Sequence, residues 1–465
     1  MDSNNNSINK ITFMNICSTI LLQGITFFTA PVFTRILGAE QYGKYSVFSS
    51  WSVIFSCIMG FGVGSTLATG KYQFRELYYE FRSSILLLGT VLCMGISLLG
   101  VLFIKPLSIL LGYSPWIIIL LFASAFSHFI IGFAQGVYIY EKEAGKNFIL
   151  SIMLSICSVV LSIVLILKFP DNHKFMGRVF GSLVSYIVAA GIVWCTIYLK
   201  KPIGIKKEYC QFALIVGLPT VFHTLAHNIL TQSDRVMMRY MGISDTEIGI
   251  YSIYYTFSGV MSTILHALNT SWCPFYYDDV DTKNWKVLNK KCKNYIELFT
   301  IITFGFLLLS REVGYILAGK EFWSGIDSIP IIVLSVYFTF MYQFPVNFEF
   351  FHKKTKIIAI GTLEAAMVNI FLNWVMIPQW GMYGAAIATA LSYGALFIFH
   401  YQIAAHIKEQ AYHLKLTVFI PGVIVIGIGM ALFYILANKW YIRWLLGALL
   451  GSYELWKIIK RKTIF

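Results

Sequence analysis

The chain has 465 residues, 57% of them hydrophobic and 12% charged, with a mean hydropathy of +0.70 and a formal net charge of +14. That balance is too apolar for a soluble domain of this size and marks a polytopic membrane protein. The surplus of positive charge reads as a rim that meets anionic lipid, not as a nucleic-acid footprint, because no basic stretch belongs to a soluble domain.

The opening segment MDSNNNSINK is polar, and the apolar run after it is too long for a signal-peptide core and lacks a small-x-small cleavage site. It is expected to stay attached as the first crossing. With roughly 20 apolar residues needed per crossing, the sequence predicts an all-α polytopic protein of about fourteen transmembrane helices. They fall near 11–32, 45–68, 83–104, 114–138, 148–168, 178–199, 212–241, 247–272, 295–318, 328–351, 357–378, 383–406, 417–437 and 441–458. Long continuous runs of this kind exclude a β-barrel, whose strands are short and alternate apolar with polar residues. The eight cysteines are scattered singly, with no spacing that suits a metal or a disulfide framework.

If the N-terminus is cytoplasmic, the alternate connections on that side hold 24 of the 36 lysines and arginines. This bias predicts both termini in the cytoplasm. Connections are short throughout, so no separate catalytic domain is expected outside the bilayer.

The segment Arg35-x-x-Gly38-x4-Gly43-x-Tyr45-Ser46 returns as Arg239-x-x-Gly242-x6-Gly249-x-Tyr251-Ser252, offset by 204 to 206 residues. Lys105 to Gly112 likewise matches Arg311 to Gly319, and Gly177-x7-Ser185-Tyr186 matches Gly384-x7-Ser392-Tyr393 at an offset of 207. Three matches in order argue for duplication of a six-helix unit. Six is even, so the copies are expected to be parallel repeats able to rock about a central cleft. The expected division is an N-terminal lobe, 1–209, a C-terminal lobe, 210–408, and two extra helices, 409–465.

Polar positions mark where a cavity is expected. In the seventh span Thr220, His223, His227, Thr231 and Asp234 share an arc of about 80°. Such a stripe faces a protein interior or water rather than lipid, although a hydrogen-bonded seam between helices would give the same pattern. In the first span Thr12, Asn15, Thr19, Gln23, Thr26 and Thr34 share about 100°, and the repeat maps Thr19 and Gln23 onto His223 and His227. Ala30 is the counterpart of Asp234, so the acidic site belongs to the second copy alone. The eleventh span carries Thr362, Asn369 and Asn373 on one side and Glu364 on nearly the opposite one. His266, Asn269, Gln135 and Glu349 are weaker candidates, and His128 reads as a packing residue. Arg35 and Arg239 close the first helix of each copy, where they suit either anionic head groups or interfacial snorkelling.

Three stretches, FTRILGAEQYGKYS, SDRVMMRYMGISDTEIGIYS and NIFLNWVMIPQWGMYGAAIATALSY, resemble the polysaccharide-transport branch of the MOP superfamily, and within it the Wzx-type O-antigen flippases. The resemblance implies translocation of an undecaprenyl-pyrophosphate-linked oligosaccharide from the cytoplasmic to the external leaflet of a bacterial inner membrane. It also implies two six-helix lobes around a hydrated cavity and drive by an ion gradient or membrane potential. On this reading Thr19, Gln23, Arg35, Arg235, Arg239, Asn369 and Asn373 are candidate substrate or cavity residues, and His223, His227 and Asp234 are candidate ion-coupling residues. Partners would be the polyprenyl-pyrophosphate-linked oligosaccharide and membrane lipids, with a polysaccharide polymerase and chain-length machinery as further candidates. No nucleic acid, cofactor, metal or catalysis is called for. The rival readings are a cation-coupled exporter of the MATE type, which usually has twelve helices, and a membrane-embedded glycan polymerase, ligase or acyltransferase.

Overall fold

In a computed structural model the backbone is described for residues 2–407 and 414–461, and side chains are described for residue 25 and from residue 27 onward within those limits. The chain is helical almost throughout, and no strand occurs among the described residues. The helices are α1 (Asp2–Ile58), α2 (Leu67–Phe74), α3 (Tyr78–Leu102), α4 (Ile104–Leu111), α5 (Pro115–Tyr140), α6 (Ala144–Ile166) and α7 (Lys174–Tyr198). They continue as α8 (Lys207–Tyr240), α9 (Asp245–Asp281), α10 (Trp285–Leu317), α11 (Ile329–Phe351), α12 (Thr355–Ala405), α13 (Ile420–Ile435) and α14 (Trp440–Arg461). Nine stretches among the described residues are long and apolar enough to cross a membrane. Two of the expected interhelical connections are single bends: α1 turns at Gly38 (φ 72, ψ 170) and α12 at Gly381 (φ 54, ψ −130).

Contacts group the chain into two compact units, one of residues 1–29 and 41–236, the other of residues 30–40 and 237–465. In the first unit the core gathers Phe81, Ile85, Ile130, Ala134, Leu154 and Val193 from α3, α5, α6 and α7. Phe74 stacks on Phe81 with ring centroids 4.7 Å apart. In the second unit the core is aromatic: Trp272 is wholly buried beside Tyr295, and Phe299 stacks on Phe340 at 4.3 Å. Lipid is as apolar as these side chains, so close packing rather than exclusion of water favours their association. Small residues bring backbones together accordingly: a β-carbon at Gly177 would press on the Ile166 backbone, and one at Gly384 on the Met376 carbonyl.

The duplication read from the sequence carries a duplicated contact. In the first unit the Phe175 backbone N–H donates to Gln41 Oε1 at 3.3 Å. In the second, the Met382 N–H donates to Glu247 Oε1 at 2.7 Å. Gln41 and Glu247 both stand two residues before the repeated Gly-x-Tyr-Ser, and Phe175 and Met382 both stand two before the repeated glycine of Gly177 and Gly384. In each unit, therefore, one side chain of the repeated turn caps the start of the last helix of the repeat. Glu247→Gln is expected to leave thermal stability nearly unchanged, because glutamine makes the contact in the first unit, whereas Glu247→Ala should cost about 1–2 kcal/mol. Thermal unfolding of the purified protein in detergent measures both.

The extra helices pack on α10 in the second unit. Arg443 of α14 pairs with Glu312, and Lys457 and Arg461 pair with Glu297. Gly422 of α13 lies against the Tyr337 hydroxyl, itself 2.8 Å from Thr300 Oγ1, and Tyr434 donates to the Asp327 carbonyl at 2.7 Å.

Four turns share an unusual feature. Arg75, Lys142, Lys283 and Lys353 have φ of 37°, 61°, 56° and 57°, and each follows closely on a helix end, at α2, α5, α9 and α11. At the last three, paired backbone bonds fold back in the Schellman pattern, as in Lys142 N–H to the Ile139 carbonyl (3.1 Å) and Glu143 N–H to the Tyr138 carbonyl (2.8 Å). Glycine is the usual occupant of such a position, while a cation there complements the helix dipole. Next to Lys142, burial pushes the Glu143 carboxyl up, but the hydrogen bond from Lys146 and the charges of Lys200, Lys146 and Arg82 outweigh it and hold it below its ordinary value.

Candidate functional site

Helix α8 presents two polar faces, and the structure treats them differently. On the first, His223 and His227 are exposed, Thr231 is half-buried and Asp234 is fully buried. The second face lies about 110° away around the helix and runs antiparallel along the end of α1 and the 3-10 segment Met59–Thr66 in the first unit. There Ser50 Oγ donates to Gln232 Oε1 at 3.1 Å, and Asn228 Nδ2 donates to Cys57 Sγ at 3.1 Å. Ser65 and Thr220 share a hydroxyl hydrogen bond of 2.8 Å at the far end.

Close to that end the two backbones nearly touch at Gly62 and Gly217, each facing the carbonyl of the other. The 3-10 segment makes this possible by coiling left-handed at Gly60 (φ 71), Phe61 (φ 48) and Gly62 (φ 70). Thr220 thus belongs to a packing seam, whose other polar members, Asn228 and Gln232, the stripe of the seventh span did not include. Their spacing of four residues beside Gly217 is the signal that could have found them. The histidines stand apart from the seam on an open face of this unit.

Arg235 is 6% exposed and donates from Nη1 to the Thr231 carbonyl at 3.1 Å, so a guanidinium and the Asp234 carboxylate are both held inside α8 packing. Thr19 and Gln23, with Thr12, Asn15 and Thr26, have side chains outside the described residues. His128 behaves as a packing residue: its ring stacks on Tyr186 at 4.5 Å, and Nδ1 lies 2.7 Å from the Ser124 carbonyl.

In the second unit Arg35 caps a helix. Its Nη2 donates to the Ile316 carbonyl and its Nη1 to the Pro31 carbonyl, both at 2.9 Å, while Thr34 Oγ1 reaches the Leu317 carbonyl at 3.3 Å. The Ile316 and Leu317 carbonyls are ones that the end of α10 leaves without a helical partner, and a cation is favoured there. Arg239 lies 3.4 Å from Asp245 Oδ2 across the α8–α9 turn. Asn369 and Asn373 are wholly buried and joined, Asn373 Nδ2 donating to Asn369 Oδ1 at 3.0 Å and Asn369 Nδ2 lying 3.4 Å from Thr389 Oγ1. This amide and hydroxyl ladder links the two halves of α12. Glu364 and His266 are exposed, and Asn269 accepts from Asn347 at 3.0 Å.

Residues 8–277, more than half of the chain, match the family described as polysaccharide biosynthesis protein. The chain belongs to that family. Family membership bears out the polysaccharide part of the resemblance, and the fold is shared with solved structures that include a MATE transporter of the MOP superfamily. Among solved structures, the family member superposes on the lipid II flippase MurJ in an inward closed conformation with a TM-score of 0.74 at 15% identity, covering 97% of this chain and 99% of that one. An inward-facing multidrug resistance MATE transporter matches with a TM-score of 0.60 at 15% identity over 88% of this chain and 95% of that one. Identities this low show the fold, an all-α polytopic architecture. By sequence it is 23% identical over 411 residues to an uncharacterized membrane protein of Haemophilus influenzae, covering 83% of this chain and 95% of the relative. It is 22% identical over 362 residues to Lsg locus putative protein 1 of the same organism. The protein is therefore a helical multi-pass membrane protein in a family of polysaccharide biosynthesis.

Proposed function

We propose that this protein is a flippase that moves an undecaprenyl-pyrophosphate-linked oligosaccharide, the repeat unit of O-antigen or a similar surface polysaccharide, from the cytoplasmic to the outer leaflet of a bacterial inner membrane. The observation that carries the reading is membership of a polysaccharide biosynthesis family by a chain with the fold of a lipid II flippase. The proposal divides the chain into lobes 1–209 and 210–408 with the extra pair 409–465, places both termini in the cytoplasm, and has the lobes rock in alternating access.

The diphosphate is a dianion or more, and holding it away from water needs cationic and hydrogen-bonding partners. Arg235, Thr19 and Gln23 fill that role in the proposal, with Arg35 and Arg239 at the outer ends. Asn369 and Asn373 would engage a sugar only when their mutual hydrogen bonds open, so they belong to a state in which α12 has repacked. His223 and His227 stand on the open face of α8 and Asp234 is buried below them on the same arc, an arrangement that suits coupling to protonation. The prenyl tail would stay in lipid. A polymerase and chain-length machinery would take the product.

Asp234→Asn and Arg235→Gln, produced at wild-type abundance, are each expected to lower glycan export in cells about tenfold or more. Surface glycan on the variant strains is the readout, and export at wild-type levels would remove both residues from the site. A MATE-type exporter shares the fold, and a drug-resistance assay on an overproducing strain separates the two: protection against toxic cations with no change in surface glycan would favour the exporter.

A further inference from the structure

The second unit holds a titratable pair that no role described so far uses. Glu349, near the end of α11, and His400, in the second half of α12, are both completely buried. His400 Nδ1 lies 2.8 Å from one oxygen of Glu349 and 3.0 Å from the other. The far nitrogen, Nε2, has no hydrogen-bond partner among the described residues. It abuts the first half of α12 at Gly361, where a β-carbon would overlap it. The Tyr342 ring lies against the imidazole at 5.2 Å.

From this geometry we infer that Glu349 and His400 form a proton-binding site whose loading is coupled to the packing of α12 at Gly361. Each protonation state is unfavourable in its own way. With the imidazole neutral and Nδ1–H donated to the carboxylate, every N–H is satisfied, but the pair buries one net negative charge, which is costly without a compensating cation. Adding one proton from water removes the net charge. The pair is then imidazolium with carboxylate, or carboxylic acid donating to Nδ1; in both forms the added proton leaves an N–H at Nε2.

That N–H points at Gly361 and meets no acceptor, and a buried donor without a partner costs about 1–3 kcal/mol. The loaded pair is relieved if the first half of α12 shifts and lets Nε2–H reach water or a carbonyl. The unloaded pair keeps the close contact. A proton therefore biases one packing over the other, which is what an ion-coupled transport cycle requires.

Titratable groups also stand on the elements packed around the pair. On its own helix Tyr342 is the titratable neighbour, and the first half of α12 contributes Gly361 and Thr362. Tyr276 of α9 and Tyr295 of α10 pack against Phe344 on another side of α11. Phe419, just before α13, packs against Phe344 and Phe397. Lys354 reaches Glu349 through its backbone N–H, which donates to the Glu349 carbonyl at 2.9 Å.

The test is nitrogen NMR of the full-length protein with labelled histidine in lipid nanodiscs, without substrate, so that it reads proton binding whatever the cargo is. One of the nine imidazoles should change protonation at Nε2 between mildly acidic and mildly alkaline pH, and its signal should vanish in His400→Asn. In Glu349→Gln, which keeps the shape and an acceptor for Nδ1–H, the midpoint should move toward acid by about 1–3 pH units. Gly361→Ala, which presses on Nε2, should move it the same way, while Tyr342→Phe should leave a titrating signal in place. An imidazole at position 400 that keeps one protonation state throughout, or a midpoint indifferent to both Glu349→Gln and Gly361→Ala, overturns the inference. Should His400→Asn fail to fold, the other two variants decide it.

Discussion

Arg82→Ala is expected to destabilise the protein by about 3–5 kcal/mol, the range for removing one partner of a buried ion pair. Arg82 is fully buried on α3, and its guanidinium pairs with Glu141, just past the end of α5, whose side chain is only 7% exposed. The same group donates from Nη2 to the Ile197 carbonyl on α7 at 2.9 Å. One side chain thus ties three elements of the first unit, and its loss leaves a buried carboxylate whose next cation, Lys200, is 3.7 Å away and well exposed. Arg82→Lys keeps the charge but cannot serve the carboxylate and the carbonyl as a fork does, so an intermediate loss is expected. The apparent midpoint of thermal unfolding in detergent, read together with abundance in the membrane, measures both. A midpoint unchanged in Arg82→Ala would mean that the network does not hold this end of the unit together.

Gly62→Leu should be comparably damaging, at about 2–5 kcal/mol, through left-handed backbone strain and overpacking. With φ of 70° any side chain is disfavoured at this position, and its β-carbon would be driven into the Gly217 carbonyl and the Val221 side chain. To make room α8 must move off the second span, which breaks the seam of Ser50, Gln232, Cys57 and Asn228. Gly217→Leu presses on the same contact from the other side at a position without a positive φ, so it should cost less. The difference between the two variants isolates the backbone component. Equal losses would mean that crowding alone accounts for the effect.

Much of this architecture is legible in the sequence. Apolar run length marked the spans, because the bilayer imposes a length on each crossing. The repeated Gly-x-Tyr-Ser turn marked the duplication, and the side chain two residues before it makes the same cap in both units. What sequence could not resolve is which of two polar faces on one helix meets a neighbour. Thr220 and His227 sit on one arc of α8, yet Thr220 is in a seam and His227 is open. Pairings far apart in the chain were also out of reach: Glu349 was visible as an intramembrane acid, but His400 is 51 residues on. Arg35 suited a substrate or the interface equally well, and its use as a cap for α10 depends on carbonyls 281 residues later. The side chains of Thr19 and Gln23 lie outside the described residues.

The four basic residues in left-handed turns bear on how such a chain is oriented. A glycine would relax each turn by roughly 1 kcal/mol, yet every one of these positions holds a lysine or an arginine. In the first unit Arg75 and Lys142 follow the ends of α2 and α5, and in the second Lys283 and Lys353 follow the ends of α9 and α11. All four lie in connections that the proposed orientation puts on the cytoplasmic side. On that orientation each of these turns carries a positive charge at a position whose backbone glycine would adopt more easily. Topology would then be recorded twice, as charge read during insertion and as a backbone shape that survives in the finished protein.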